Sequence, residues 1–387
     1  MSIQGELTID LLMGRDGLQC DIRSSRPLSA ARVFAGKSVE FTLNSLPLLF
    51  NVCARAQSSS LVRAIESAQG LGVTDEVASQ REALVMLESL REQVLRVLMA
   101  WPTCLAETAI NPALGNLVQG VSLLSESMKP AVLYACSAVP QQLGHQQREQ
   151  WQRLSTFLAK ELFASDFAAW LNEVAVSSGA LAVWAANGQT QAARFLHWLA
   201  GQTWRNAGSS PVTGLPAASD EDLMDHLVGE QEAFTAQPQW EGACHELSWF
   251  VTMRENPVVS ELLRENGNGI HTRSVARLLA IAGLMQRLDG FFQRGEMLPS
   301  AACDVPGMAH VEAARGRLTH CVALDGDTVS QLLVLAPTEW NFHPRGVAAQ
   351  GLENLQANDE AELRQQARLL IHAIDPCVGY TLNMVRT

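Results

Sequence analysis

The stretch EAARGRLTHCVALDGDTVSQLLVLAPTEWNFHPRG, residues 312–346, joins two apolar, strand-forming segments to charged and amide side chains at both ends. RLTHCVAL and VSQLLVLAP flank the turn sequence DGDT, so residues 317–337 are predicted to form a β-hairpin. Arg315 and Gly316 precede this hairpin. Because glycine lets the backbone approach its neighbours closely, the hairpin can hold Arg315 rigidly beside a pocket.

The composition is that of a folded globular protein. Of the 387 residues, 47% are hydrophobic and 18% are charged, so the chain can bury a sizeable core. The net charge is −12 and no basic run occurs, which argues against a nucleic-acid partner. No apolar run approaches ~18 residues, so we expect no membrane span. The start MSIQGELTIDLL lacks a secretory signal, and eight scattered cysteines without a C-x-x-C pair are typical of a reduced, cytoplasmic chain.

The length suits two or three ordinary domains or one large domain, of which we expect a single domain, residues 1–387, and hydrophobic periodicity predicts strands near both ends. ELTIDLL, GRDG and LQCDIR predict a β-hairpin over residues 5–23, followed by a helical middle over 45–200. NAGSSPVTGLPAASDED predicts a surface loop over 206–222, and the C-terminal region 300–387 contains the second hairpin. The predicted fold class is α+β, predominantly α-helical, with two ends that can meet. Individual helices are predicted over 75–100, 146–175, 274–293 and 359–374, and from about Pro47 onward.

The C-terminal sequence IDPCVGYTLNMVRT, residues 374–387, raises a question about Cys377. Asp375 can cap a helix and Pro376 suits its first position, which would place Cys377 in the first turn. The helix dipole there favours thiolate, the form that binds metal or attacks an electrophile. The alternative is a small apolar residue that closes the C-terminal core.

Four sequence strings together resemble the large subunit of nickel-iron hydrogenases. EAARGRLTH and APTEWNFHPRG are similar to the family's Glu-Ala-Pro-Arg-Gly and Pro-Thr-x-Trp-Asn-x-x-Pro-Arg stretches. IDPC matches the start of the closing D-P-C-x-x-C-x-x-H, and FNVCARAQ, residues 50–57, falls where R-x-C-G-x-C-x-x-x-H stands. IQGELTID, residues 3–10, also looks like the family's opening motif, whereas residues 65–240 match only as generic helix. The resemblance implies a large-subunit-like fold.

The departures from this family concern the metal ligands. Two cysteine pairs hold nickel and iron in the family, but only Cys53 and Cys377 stand at those positions here. Gln57 occupies the place of the first histidine, while Tyr380 and Asn383 replace the last cysteine and histidine. Gln4 replaces the glutamate that carries protons. Because two thiolates make a poor permanent nickel site, we expect neither nickel nor hydrogen turnover, and therefore no enzyme.

What remains resembles hydrogenase expression and formation proteins of the HupK/HoxV type. That resemblance implies Cys53 and Cys377 as metal ligands and a binding site completed by four further residues, namely Arg315, Glu312, Asp375 and Gln57. It also implies a non-catalytic scaffold that transiently holds the Fe(CN)2CO precursor. The implied partners are small HypC-like maturation chaperones and the hydrogenase large subunit, which receives the fragment. The alternative is a metal-free structural subunit of a hydrogenase or of a quinone-reductase-like respiratory complex.

Each candidate residue also has an ordinary structural interpretation. Cys53 suits a packed core, and Arg315 can pair with Glu312 three residues earlier. Trp340 and Asn341 are predicted to organise a loop beneath the site. Four residues, Cys303, His310, His320 and Cys321, fit no familiar zinc spacing and are assigned to packing.

Overall fold

The computed structural model describes residues 5–15, 17–105, 112–128, 130–300, 303 and 305–386, without the side chains of 28, 29, 130 and 131. Helices dominate the described chain, and two small sheets lie at its ends in sequence. The predicted α+β, predominantly α-helical class is therefore confirmed. None of the described helices is both long enough and apolar enough to cross a membrane.

The described residues form sixteen α-helices, which we number along the chain. They are α1 (Val39–Leu49), α2 (Ala54–Ala68), α3 (Asp75–Cys104), α4 (Ala113–Ser127), α5 (His145–Phe163), α6 (Phe167–Glu173), α7 (Ser178–Asn187), α8 (Gln191–Ala200), α9 (Asp220–Glu230), α10 (Glu232–Ala236), α11 (Trp249–Thr252), α12 (Pro257–Asn266), α13 (Ile270–Asp289), α14 (Pro337–Asn341), α15 (Val347–Glu353) and α16 (Glu360–Ile374).

The described strands form one three-stranded and one four-stranded sheet. They are β1 (Glu6–Gly14), β2 (Gly17–Ser24), β3 (Lys37–Ser38), β4 (Met308–Ala313), β5 (Gly316–Asp325), β6 (Thr328–Leu335) and β7 (Gly379–Arg386). The first sheet has the order β2-β1-β7, and β7 runs parallel to β1, so the two ends of the chain do meet. The second has the order β3-β6-β5-β4 and contains the predicted hairpin as β5 and β6.

Helix α3 is the central rod of the helical body. The Thr74 hydroxyl accepts a hydrogen bond from the Val77 N–H at 3.4 Å, and acidic Asp75 and Glu76 occupy the first turn, as helix N-termini favour. Its 30 residues span about 45 Å, enough to contact elements at both ends of the domain. Helices α2, α4, α8 and α13 pack around it: α4, α8 and α13 share one continuous apolar core with α3, whereas the buried apolar residues of α2 belong to separate clusters.

Several predicted boundaries were wrong for identifiable reasons. The helix placed from Pro47 onward begins at Val39 instead, where Ser38 accepts from the Phe41 N–H. The predicted helix 146–175 is divided into α5 and α6, because Ala164 adopts a left-handed conformation with φ 59° between them. The predicted surface loop 206–222 is partly buried, and α9 already begins at Asp220.

The strands β4 and β7 were not predicted. MAHVEA is short and ends within a glycine turn, while YTLNMV follows a helix without a turn signal. Each becomes a strand because a partner edge accepts it: β4 pairs with β5, and β7 pairs with β1. Long-range pairing of this kind leaves little local trace in a sequence.

Gly316, at the start of β5, permits a close contact that no other residue allows. Its φ is +125°, and an added Cβ would lie 1.7 Å from the Leu247 carbonyl oxygen. This contact presses the base of the hairpin against the segment before α11. The expectation that glycine here allows close backbone approach is confirmed by this geometry.

Replacing Gly316 with alanine should lower the free energy of unfolding by about 3 kcal/mol or more, because steric overlap and unfavourable φ act together. Urea denaturation followed by circular dichroism measures this loss. Gly326→Ala is the matched control: its φ is +58° but nothing lies within 4 Å, so it should lose only about 1 kcal/mol. Equal losses in the two variants would contradict the packing argument.

Candidate functional site

A cavity of about 60 Å³ lies where five separate parts of the chain meet. These parts are the segment after β2 that carries Arg26, the 3-10 turn Asn51–Cys53, the β4–β5 turn, the β6–α14 junction and the segment between α16 and β7. Most of its wall is apolar. Cys53, Gln57, Arg315 and Cys377 all line it, so four of the six residues predicted for the site share one cavity.

Cys53 is positioned by the start of α2. It occupies the residue before the helix, and the buried Glu88 carboxylate on α3 accepts hydrogen bonds from the backbone N–H of Arg55 at 2.8 Å and of Ala56 at 3.1 Å. This carboxylate therefore caps α2 from a neighbouring helix and fixes the turn that carries Cys53. Gln57, one turn later, donates from Nε2 to the Cys53 Sγ at 3.7 Å.

The Cys53 thiol is held neutral by its surroundings. Burial is the largest influence and, with the nearby Cys377 sulfur and Glu88, raises the pKa of Cys53 to about 12. Arg315 and the Gln57 amide act in the opposite direction but do not offset burial. Without a bound metal, Cys53 is thus a thiol at neutral pH.

The predicted helix start at Cys377 was wrong. Asp375 ends α16 instead of capping a new helix: its φ is +71°, and its N–H donates to the Ile371 carbonyl at 2.7 Å. The chain then enters β7 at Gly379. The same Asp-Pro pair can begin one helix or terminate another, and here the pairing of β7 with β1 decides between them. No helix dipole therefore acts on Cys377 in the way predicted.

Thr338 on α14 holds Cys377 in place. Its hydroxyl donates to the Cys377 Sγ at 3.0 Å and accepts from the Cys377 N–H at 3.2 Å. This residue belongs to the APTEWNFHPRG string, so the sequence signal for it was present although it was not interpreted as a site residue. The reciprocal contact aligns the sulfur with the cavity wall.

Arg315 is buried, with 5% of its surface exposed. Its Nε donates to the Pro376 carbonyl at 3.2 Å and its Nη2 donates to the Glu92 carboxylate at 3.0 Å. Within the described part of the chain, its Nη1 is buried without a hydrogen-bond partner. Burial lowers the pKa of Arg315, but Asp375 and Glu92 raise it more, so the guanidinium stays charged. One fixed donor thus remains available at a residue that lines the cavity.

Asp375 lies behind the cavity wall at the centre of three guanidiniums. Its carboxylate is 2.5 Å from Arg96 Nη2, 3.6 Å from Arg277 Nη1 and 3.6 Å from Arg315 Nε. Burial alone would raise the pKa of Asp375, but the three arginines hold it below its usual value. Asp375 is therefore a positioning residue for Arg315 rather than part of the cavity wall.

Glu312 lies apart from the cavity. Its side chain is 44% exposed and accepts a hydrogen bond from the Arg317 Nε at 3.1 Å across the β4–β5 pair. This placement disagrees with both predictions for Glu312, the role in binding and the pairing with Arg315. Successive strand residues point to opposite faces, and Glu312 falls on the solvent face.

Two of the residues at replaced family positions, Tyr380 and Asn383, point away from the cavity, whereas Gln57 lines it. The Tyr380 hydroxyl lies 2.9 Å from the His372 Nε2, and the Asn383 amide donates to Asp10 Oδ1 at 2.7 Å. Strand β7 carries both residues past the site. Gln4 lies outside the described residues. Asn341, as predicted, bonds backbone groups beneath the site: it accepts from the Leu247 N–H and donates to the Arg315 carbonyl.

Sequence reasoning missed two charged residues in the cavity wall, Arg26 and Glu339. They form an ion pair with each other. Burial lowers the pKa of Arg26, but the Cys377 sulfur, the Glu339 carboxylate and the Cys53 sulfur together raise it more. Glu339 lies within the APTEWNFHPRG string, whereas no local pattern marks Arg26. Glu88, Glu92 and Arg96, spaced by four on α3, form one helix face that a search for charged stripes would have found.

The fold of this chain is found in solved structures of one class of protein. The reduced Ni-Fe-Se hydrogenase of Desulfomicrobium baculatum superposes with a TM-score of 0.60 at 11% identity, covering 94% of both chains. The Ni-Fe-Se hydrogenase of D. vulgaris Hildenborough gives 0.59 at 12% identity, again over 94% of both chains. The chain therefore has the fold found in these hydrogenase structures.

Curated relatives extend the comparison to sequence. The chain is 29% identical to the hydrogenase expression/formation protein HupK of Bradyrhizobium diazoefficiens, over 93% of this chain and 91% of that protein. It is 27% identical to HoxV of Cupriavidus necator, which has the same description, over 100% of this chain and 97% of that protein. No family model matches. These homologues confirm the predicted resemblance to proteins of the HupK/HoxV type.

Asp375→Asn should destabilise the protein by about 3 kcal/mol or more, because the buried guanidiniums of Arg277 and Arg315 and the partly exposed one of Arg96 lose their shared carboxylate. Asparagine keeps the shape and tolerates the left-handed backbone, so the loss reports the charge. Urea denaturation measures it. Glu312→Gln, which removes an exposed pair, is the control and should change stability by less than about 1 kcal/mol. A loss of less than about 1 kcal/mol in Asp375→Asn would contradict the role assigned to this carboxylate.

Glu88 should make stability depend on pH. Burial raises the pKa of Glu88 from 4.5 to about 7. A carboxyl with a raised folded-state pKa contributes stability below pH 4.5, and that contribution is lost as pH rises through 7. Between pH 5 and 8, Glu88→Gln should remove a pH-dependent component of up to about 3 kcal/mol. Urea melts of wild type and variant across this range test it; parallel stability curves would refute it.

Proposed function

We propose that the chain acts in hydrogenase maturation as a non-catalytic scaffold that transiently holds an Fe(CN)2CO fragment. The coarse part of this proposal, a role in maturation, is supported by relatives described as hydrogenase expression/formation proteins. The finer part is supported by one observation above the others: Cys53, Cys377 and Arg315 line one cavity, and the buried Nη1 of Arg315 has no hydrogen-bond partner among the described residues.

The two cysteines supply the ligands that low-valent iron prefers. Thiolates are soft donors, and Cys53 and Cys377 lie on the same wall although 324 positions separate them in the sequence. Cys53 is protonated in the metal-free site, so iron binding must displace its proton. We therefore expect iron to bind more weakly here than in a site with four ionised thiolates, and weaker binding lets a carrier release its cargo.

The charges of the cavity also suit this cargo. Iron(II) with two cyanides is neutral, and two thiolate ligands make the complex a dianion. Arg26 and Arg315, both nearly buried, line the cavity and can compensate this charge, although Glu339, Glu92 and Asp375 offset part of their positive charge. Because charges interact strongly at low dielectric, this pair of cations would favour the loaded state.

The remaining groups suit the diatomic ligands. Arg315 offers a fixed donor for a cyanide nitrogen, since Nη1 has no other partner among the described residues. The apolar residues Leu49, Phe50, Val334 and Val378 form surroundings suited to carbon monoxide. We propose small HypC-like chaperones as donors of the fragment and the hydrogenase large subunit as its acceptor.

Infrared spectroscopy tests this proposal directly. Protein isolated from cells that contain the hydrogenase maturation machinery should show bands of metal-bound cyanide and carbon monoxide. Cys53→Ala and Cys377→Ala should each abolish them, whereas Cys244→Ala, outside the cavity, should keep them. Iron assays on the same samples give the occupancy.

Bands unchanged in both cavity variants would overturn the proposed ligand set. Wild-type protein that carries neither iron nor these bands, isolated within a stable respiratory complex, would favour the metal-free structural subunit instead. Arg315→Lys keeps a positive charge but loses the planar donor geometry, so it should shift the cyanide bands while some iron remains bound.

A further inference from the structure

Three metal-ligating side chains from separate elements meet beside the second sheet. Asp220 begins α9, Cys303 lies in the segment before β4, and His310 lies within β4. One ligand atom from each lies within 4.8 Å of the other two. None of the three lines the cavity that holds Cys53 and Cys377.

The ring of His310 is held in a fixed orientation. Its Nδ1 lies 2.8 Å from the Thr319 Oγ1 on β5, and its Nε2 lies 2.9 Å from the Asp220 Oδ1. His310 and Thr319 are directly paired in the β4–β5 register, so the sheet itself sets this contact. A hydroxyl on one ring nitrogen is the usual support that leaves the other nitrogen free to bind a metal.

The donor set is that of zinc. Sulfur, imidazole nitrogen and carboxylate oxygen together are typical zinc ligands, and three protein ligands leave one tetrahedral position open. Thiolate and carboxylate would neutralise the two charges of the ion. Arg63 donates to the His310 carbonyl at 2.9 Å. Because the metal complex would carry no net positive charge, it would not repel this guanidinium.

Space for a fourth ligand lies next to the cluster. A cavity of about 150 Å³ is lined by Asp220, Thr319 and Trp340, among others. The Trp340 Nε1 is buried and has no hydrogen-bond partner among the residues that the structure describes. A water or small anion in this cavity could reach the open side of the cluster.

We propose that Asp220, Cys303 and His310 form a zinc site with three protein ligands and an exchangeable fourth position, separate from the cavity of Cys53 and Cys377. No local pattern indicates this site, because Asp220 lies far from Cys303 along the chain and the ligands follow no zinc spacing. The assignment of Cys303 and His310 to packing is revised accordingly.

The test uses full-length Cys53→Ser/Cys377→Ser protein, so that the other cavity contributes no thiolate. This background should bind one equivalent of Co²⁺ with a near-ultraviolet thiolate-to-cobalt band, and Zn²⁺ should displace the cobalt. Adding Cys303→Ser should abolish the band and weaken Zn²⁺ binding by about 100-fold or more. Adding Cys244→Ser instead should change neither.

Thr319→Val supplies a second, independent variant. It removes the support of the His310 ring but no ligand, so the band should persist while Zn²⁺ affinity falls about 10- to 100-fold. Asp220→Asn, at a partly exposed position, should also weaken binding; circular dichroism verifies that each variant is folded. An unchanged band in the Cys303 variant, or no stoichiometric metal binding by the folded background protein, would overturn the proposal. Both results are independent of whether the other cavity carries iron.

Discussion

The site depends on the ion pairs that the buried Asp375 carboxylate makes with three arginines. The carboxylate joins α3, α13, the β4–β5 turn and the end of α16 through Arg96, Arg277 and Arg315. Three of these four charges are buried and Arg96 is partly exposed. Buried charges are stable only when each is paired and hydrogen-bonded, so the elements that carry them must dock in one arrangement. Glu92 and the carbonyl of Pro376 complete the shell around Arg315. The geometry of the cavity follows from this docking.

Burial and a helix dipole compete at Cys53, and burial decides its protonation. The residue stands at a helix N-terminus, where a thiolate would be favoured, yet the Glu88 carboxylate already caps that helix. A thiolate at Cys53 would be repelled by the Glu88 carboxylate, and the apolar wall would solvate it poorly. The metal-free site is therefore neutral at Cys53, and its cations are held by Glu92, Asp375 and Glu339.

The sequence predicted those parts of the fold whose signals are local. The β5–β6 hairpin and α16 were predicted because apolar periodicity and turn residues specify them within a few positions. The pairing of β7 with β1 was not, because a strand of intermediate burial becomes recognisable only when its partner edge is known. Of the site, Cys53, Gln57, Arg315 and Cys377 were predicted from the family resemblance. Arg26 was missed because its role exists only through a contact made far along the chain. Glu88 carries a local signal, the i, i+4 spacing with Glu92 and Arg96, which was not interpreted.

In the proposed scaffold, the residues that line the cavity suit holding an iron fragment rather than turning over hydrogen. Strand β7 carries Tyr380 and Asn383 away from the cavity, so no further thiolate or imidazole can enter from that segment. In the proposed scaffold, release follows from the same chemistry as binding: a partner with four thiolates offers the iron more soft ligands than two. Departure of the iron lets Cys53 regain its proton in an apolar wall that favours the neutral thiol. Arg315 stays fixed by Asp375 throughout, so the emptied cavity needs no rearrangement before the next fragment arrives.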